Sequence, residues 1–173
     1  MIMFPIETER LLIRPFALDD AEALHAVWGD PASERFTAGG GRTPATVEET
    51  KAFLAQIVAD QEKHGFASSA VIEKETGRLI GDCGIFVSPD QPELELAYGF
   101  ARDRWGLGYA TEASAACVRA GFEQLDVDRI VADVDVTNGA SIRVLEKLGF
   151  ELEREEGGKR HYAVAHHQPQ RRK

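Results

Sequence analysis

At 173 residues the chain has the length of one domain, enough to bury about two-thirds of the surface its unfolded form would expose. A net charge of −9 and a pI near 5.1 argue against nonspecific nucleic-acid binding, and no apolar run approaches the ~18 residues of a membrane span. The N-terminus lacks the basic-then-apolar pattern of a signal peptide, and Cys83 and Cys117, without metal-ligand spacing, read as buried thiols in a reducing cytoplasm.

The first element is an edge strand over 10–15, ended by Pro15. Asp19 then caps a helix to about Trp28, with Ala23, Leu24, Val27 and Trp28 on one side. Asp30-Pro31 breaks it, and Gly39-Gly40-Gly41 reads as the most flexible segment. Thr46-x-x-Glu49 is a capping box for a second helix, in which Phe53, Leu54, Ile57 and Val58 recur at helical spacing and which Gly65 closes. Strands over 67–73 and 79–87 flank the turn Lys74-Glu75-Thr76-Gly77, and a third over 93–100 puts Leu94, Leu96, Tyr98 and Phe100 on one face. After a helix to about Gln124 come a strand over 129–136 and a helix over 140–148 stopped by Gly149. A hairpin of 150–155 and 161–165 across Gly157-Gly158 follows, and about 167–173, ending Arg171-Arg172-Lys173, reads as a solvated tail. No repeat or second domain interrupts 1–173.

The densest stretch is 93–112, ELELAYGFARDRWGLGYATE. Its strand passes through a charged turn into Trp105-Gly106-Leu107-Gly108-Tyr109-Ala110 and then a small-residue helix. Two close glycines between a strand and a helix free backbone N–H groups to converge at the positive end of that helix, which suits a phosphate or pyrophosphate. A Walker loop needs Lys-Ser/Thr after its last glycine, and Tyr109-Ala110 excludes it. A dinucleotide fingerprint wants Gly or Ala where Thr111 sits, though Asp126, Asp128 and Asp133 fall where its ribose anchor would. A third pattern, Gln/Arg-x-x-Gly-x-Gly/Ala, is met by Trp105-x-x-Gly108-x-Ala110 at all but its first position.

The flanks favour the third. The opening 7–15, ETERLLIRP, the loop 105–113, WGLGYATEA, and Asn138-Gly139-Ala140-Ser141 followed by 144–150, VLEKLGF, lie in one order along nearly the whole chain. Together they resemble the GNAT superfamily, and within it the ribosomal-protein N-terminal acetyltransferase-like branch. The resemblance implies an α+β fold, a mixed central sheet splayed into a V-shaped cofactor cleft with helices on both faces. It also implies acetyl-CoA as cosubstrate, no metal, and direct transfer to a primary amine in a ternary complex. The strand edge Tyr98, Phe100, Ala101 and Arg102 would hold pantetheine like an added strand. Trp105, Gly106, Leu107, Gly108, Tyr109, Ala110 and Thr111 would cradle the pyrophosphate, mostly through backbone amides.

By the same resemblance Asn138 touches pantetheine and Ser141 lies near the thiolate, while Asn138 also reads as a plain N-cap and Tyr98 and Phe100 as core residues. Many relatives carry a Tyr four residues beyond that Ser as general acid; here Leu145 stands there, leaving Ser141 or a water it holds. Glu95, at the Glu of the branch's Ala-Glu-Ile-Gly-Tyr strand, is the expected acceptor of the amine proton, Glu93 the second choice, and Glu112 a capping charge. The acceptor is a protein N-terminus or a small-molecule amine, with no nucleic-acid or membrane partner, in a monomer or homodimer. Leu145 and Trp105 keep a non-catalytic acyl-CoA sensor open as the alternative.

Overall fold

In the computed structural model, which describes residues 1–30, 43–88 and 92–166, eight strands join in one sheet. They are β1 (Ile6–Glu7), β2 (Leu11–Arg14), β3 (Ser69–Glu73), β4 (Leu79–Val87), β5 (Leu94–Phe100), β6 (Arg129–Asp135), β7 (Glu151–Glu156) and β8 (Lys159–Ala165). Across the sheet they run β1-β2-β3-β4-β5-β6-β8-β7, and every neighbouring pair is antiparallel except β5–β6. A parallel pair needs a crossover, and the helix α3 (Tyr109–Gln124) supplies it.

The parallel pairing is short. Leu94 faces Ile130 and Glu95 faces Val131, and there the register ends, although β5 continues to Phe100 and β6 to Asp135. Beyond Glu95 and Val131 the two strands part, and the sheet opens as a V. The expected α+β mixed sheet is present with this opening.

Strand alternation assigns the two faces. Val71, Cys83, Ile85, Leu96, Phe100, Ile130, Ala132 and Val134 pack toward α3 and α4 (Gly139–Lys147), where Ala113, Ala116, Cys117, Ile142 and Leu145 complete one core. Small residues let α3 lie close: a Cβ on Gly121 would stand 2.4 Å from Ile85 Cδ1. The opposite face carries Ala70 and Leu79 against α1 (Ala21–Trp28) and α2 (Val47–His64), through Leu24, Val27 and Leu54. No described helix is long and apolar enough to cross a membrane.

Several local expectations are corrected. The strand over 10–15 is not an edge, because β1 pairs outside β2. Asp20, not Asp19, precedes α1, and its carboxylate is taken up by Arg14 at 2.8 Å and by the Ala17 amide. The buried stripe of α1 is Ala21, Leu24 and Val27, so Ala23 faces solvent. In α2 only Leu54 of the expected apolar set is fully buried and Phe53 is exposed, since the helix covers the sheet along a narrow line. Thr46 caps it through the Glu49 amide, but the Glu49 carboxylate accepts from Ala45 rather than closing the box on Thr46. Gly65 ends it at φ +78, as read. Pro31, Gly39-Gly40-Gly41 and the tail 167–173 lie outside the described residues.

Candidate active site where two strands part

The glycine loop sits at the far end of the β5 edge. Gly106 and Gly108 have φ of +75 and +83, the left-handed region that side chains with a Cβ resist. Gly108 is the N-cap of α3 and brings no side-chain oxygen to the amides of the first turn, which have no acceptor within the helix. Tyr109, Ala110 and Thr111 make up that turn, with backbone N–H groups directed out of the helix end at its positive pole.

Charged groups hold this loop in place, and the sequence reading missed most of them. Glu73, last in the apolar strand β3, accepts from the Tyr109 hydroxyl (2.7 Å), Arg104 Nε and Nη2 (3.0 Å each) and Thr76 (2.6 Å). Hydrogen bonds from Arg104, then Thr76 and Tyr109, hold its carboxyl down at about 2. Arg10 donates to the Leu107 carbonyl at 2.9 Å, and its guanidinium lies 4.3 Å over the Tyr109 ring. Glu112 is more than a helix-end charge: it accepts from Thr8 Oγ1 (2.6 Å), the Arg10 amide (2.9 Å) and Arg10 Nε (2.7 Å), tying α3 to the β1–β2 turn. Burial pushes its carboxyl up, and these bonds together bring it below the ordinary value. A charged residue closing an apolar strand, as in SAVIE, is the signal that could have singled out Glu73.

Ser141 lies in the first turn of α4. The Asn138 side-chain oxygen accepts from the Ser141 amide at 3.1 Å, so Asn138 is the N-cap of that helix. The Tyr98 hydroxyl reaches across from β5 to Ser141 Oγ at 2.7 Å and also donates to the Ser141 carbonyl at 3.2 Å. Burial pushes the phenol up to about 12, against the pull of the Ser141 hydrogen bond. Leu145, one turn beyond Ser141, is 1% exposed and belongs to the core.

On the opposite face stand Glu95, whose register partners are Phe86 and Val131, and the pair Asp133–His161. His161 Nδ1 is 2.6 Å from Asp133 Oδ1. Arg129 is held between Glu153 (2.6 Å) and Glu93 (3.5 Å). Glu93, Arg129, Asp133, Glu153 and His161 line a cavity of about 230 Å³. A larger concavity, about 580 Å³, is lined by Ala26, Asp30, Arg78, Ala101, Arg102 and Asp103, with neither Tyr98 nor Ser141 in its wall.

The structure therefore gathers Gly106 to Thr111 at the head of α3 and joins Tyr98, Asn138 and Ser141 at the start of α4. It separates others. The Phe100 side chain is in the core and its carbonyl accepts from the Trp105 indole at 2.7 Å, so Trp105 fixes the loop's entry. The Ala101 amide is engaged by the Ile80 carbonyl, and Arg102 opens the short 3-10 turn Arg102–Arg104. Glu95 lies across the sheet from Ser141 by alternation.

A family model described as the acetyltransferase (GNAT) domain matches residues 10–151. The chain belongs to the GNAT acetyltransferase family. This GNAT protein is 33% identical over 153 residues to an uncharacterized N-acetyltransferase, p20, of Bacillus licheniformis, covering 87% of this chain and 84% of that one. Among solved structures, the acetyltransferase from Agrobacterium tumefaciens str. C58 superposes with a TM-score of 0.81 at 29% identity, over 96% of each chain. The ribosomal-protein-S5-alanine acetyltransferase from Vibrio fischeri superposes at 0.77 with 20% identity, over 94% of this chain and 97% of that one, a likeness of fold. Membership makes the chain an acetyltransferase rather than a dinucleotide-binding protein.

Proposed function

We propose that this GNAT acetyltransferase transfers the acetyl group of acetyl-CoA to a primary amine, directly and in a ternary complex. The observation that carries the reading is the bare head of α3: two left-handed glycines and first-turn amides, at the end of a strand edge that opens beyond Glu95. A Cβ on Gly106 would meet nothing within 4 Å, so open space borders the loop at that residue. That cradle fits a pyrophosphate. Bound there, acetyl-CoA supplies the activated acyl group, a thioester.

The remaining chemistry falls to side chains. On the Glu95 face the amine nitrogen, once neutral, attacks the thioester carbon, and the nitrogen sheds its second proton to solvent as the C–S bond breaks toward the α4 face. Ser141 then donates a hydrogen bond to the departing sulfur, and the Tyr98 hydroxyl, 2.7 Å from Ser141 Oγ, turns its one hydrogen from the Ser141 carbonyl to that oxygen and so aims the Ser141 hydrogen. A phenol near 12 is too weak an acid to protonate a thiolate that titrates near ~8.5. The pair thus stabilises the thiolate by hydrogen bonding, and solvent supplies its final proton. Tyr98 in this way stands in for the hydroxyl that Leu145 lacks. Glu95 draws in the ammonium and accepts its proton, directly or through water. The acceptor is a protein N-terminus or a small-molecule amine.

Thiol release measured with acetyl-CoA against a panel of peptides with free N-termini, amino acids, polyamines and alkylamines tests the reaction. Release is expected only with an amine present. Ser141→Ala should lower kcat by ~10- to 100-fold and Tyr98→Phe by ~10-fold, with cofactor affinity nearly unchanged. No release with any amine would overturn the reaction, and an unchanged kcat in both variants would remove the Tyr98–Ser141 pair from it.

A further inference from the structure

The face opposite Ser141 holds a polar pair that the reaction above leaves unused. Asp133 on β6 and His161 on β8 are register partners, their side chains only 22% and 17% exposed, and both line the cavity of about 230 Å³. A carboxylate only accepts, so the neutral form of the imidazole would present Nδ1–H to Asp133 and leave the lone pair of Nε2 for another partner. Glu95 shares this face, one strand from Asp133, two strands from His161 and two residues back along β6. Strand spacings of ~4.8 Å and a rise of ~3.3 Å per residue put the Glu95 and His161 Cα atoms on the order of 12 Å apart. Between the side-chain tips that leaves room for an amine nitrogen and a water. The other charges around the imidazole come from Glu93 ahead of β5, Arg129 on β6, and Glu153 and Arg154 on β7, and Arg129 is held by Glu93 and Glu153.

The size of the proton-transfer step says why a second group is needed. Ammonium groups ordinarily titrate between ~8 for an α-amine and ~10.4 for a lysine-type amine, carboxylates near ~4.3 and imidazoles near ~6.5. Passing the proton to a carboxylate alone runs uphill by roughly 4 to 6 pK units, and to an imidazole by roughly 1.5 to 4. We propose that His161, oriented by Asp133, is the terminal acceptor of the proton that the acceptor amine sheds, an inference that rests on the amine-acetylation reading. One N–H bond of the ammonium breaks, and the proton crosses by way of Glu95 or a bound water to His161 Nε2. The imidazolium is held by the Asp133 carboxylate until it loses the proton to solvent. Asp133 is a positioning residue, and the substrate class is a primary amine that arrives as its cation.

The test pairs kinetics with ring NMR. On the best α-amine and the best alkylamine of the panel, His161→Gln should lower kcat by ~10- to 100-fold near neutral pH; at about pH 9.5 the α-amine, by then neutral, should recover to within ~3-fold and the alkylamine, still mostly cationic, only in part. Asp133→Asn should lose ~5- to 10-fold, and added imidazole should restore part of the activity of His161→Ala. In the wild-type protein without acetyl-CoA, the His161 ring nitrogens should report the Nδ1–H tautomer, and the Nε2 resonance should move as butylamine is added. A loss uniform across pH, no loss at all, or an Nε2 resonance indifferent to butylamine overturns the proposal. Should the wild type release no thiol with any amine, the reaction itself fails, while the butylamine titration still decides whether His161 meets an amine.

Discussion

Replacing Gly108 with valine separates what the loop does for the fold from what it does for the ligand. The backbone stands at φ +83, and a Cβ placed there would lie 3.4 Å from Arg10 Nη2, an ordinary contact with the end of a flexible side chain. Space is therefore not the obstacle in the free protein; backbone strain is, at ~1–3 kcal/mol for a β-branched residue in this region. For a chain of this length, ~2 kcal/mol lowers Tm by roughly 4–8 °C. Acetyl-CoA at ~100 times its Kd should raise the wild-type Tm by mass action worth ~2.7 kcal/mol, or roughly 5–11 °C. The variant should lose that rise, because the valine methyls would stand where phosphate oxygens meet the α3 amides. Gly157→Val is the control: its φ is +58 with nothing within 4 Å of an added Cβ, in the hairpin turn between β7 and β8. It should cost a comparable Tm and keep the full acetyl-CoA shift. Thermal melts of the three proteins with acetyl-CoA, NAD and ATP provide the comparison, with NAD and ATP expected to shift the wild type far less. A Gly108→Val protein with a full acetyl-CoA shift, or a wild type stabilised equally by NAD, would refute the reasoning.

Glu95→Gln keeps the side-chain volume and removes the carboxylate, so its turnover profile should move to higher pH, with the greater loss on an alkylamine than on an α-amine. Measurement of kcat/KM from about pH 6 to about 9.5 on both decides it, and a uniform drop would reduce Glu95 to shaping the pocket. Glu73→Gln should lower the urea unfolding midpoint at neutral pH by leaving Arg104 without its carboxylate partner. Because the Glu73 carboxyl is held down at about 2, its contribution is present above the unfolded value of 4.5 and lost as pH falls toward 2; urea melts at descending pH should show wild type and variant converging, and a gap independent of pH would contradict that assignment.

Much of the fold was legible because its signals are local. Period-two alternation in 94–100, the left-handed demand met by Gly65, Gly108 and Gly149, and Thr46 ahead of α2 each act within a few residues. Where local signals failed, a distant partner had intervened. Asp20 turned to Arg14 instead of capping α1, and the stretch 10–15 lost its edge to a two-residue strand too short to carry a pattern.

The site divides along the same line. Local chemistry sets the loop, since glycines at 106 and 108 ahead of a helix dictate a backbone that few other residues adopt, and it sets Leu145 as a side chain with no proton to give. The side chains that complete it come together through the fold. Tyr98 and Ser141 are 43 residues apart in sequence and 2.7 Å apart in space, and Asp133 and His161 are 28 apart and 2.6 Å. Glu73 meets Tyr109 across 36 residues to anchor the loop. Hydrogen bonds between strands and helices that the chain order keeps apart depend on sheet register and on where β5 and β6 part, and register is set by the packing of the whole core rather than by any one segment.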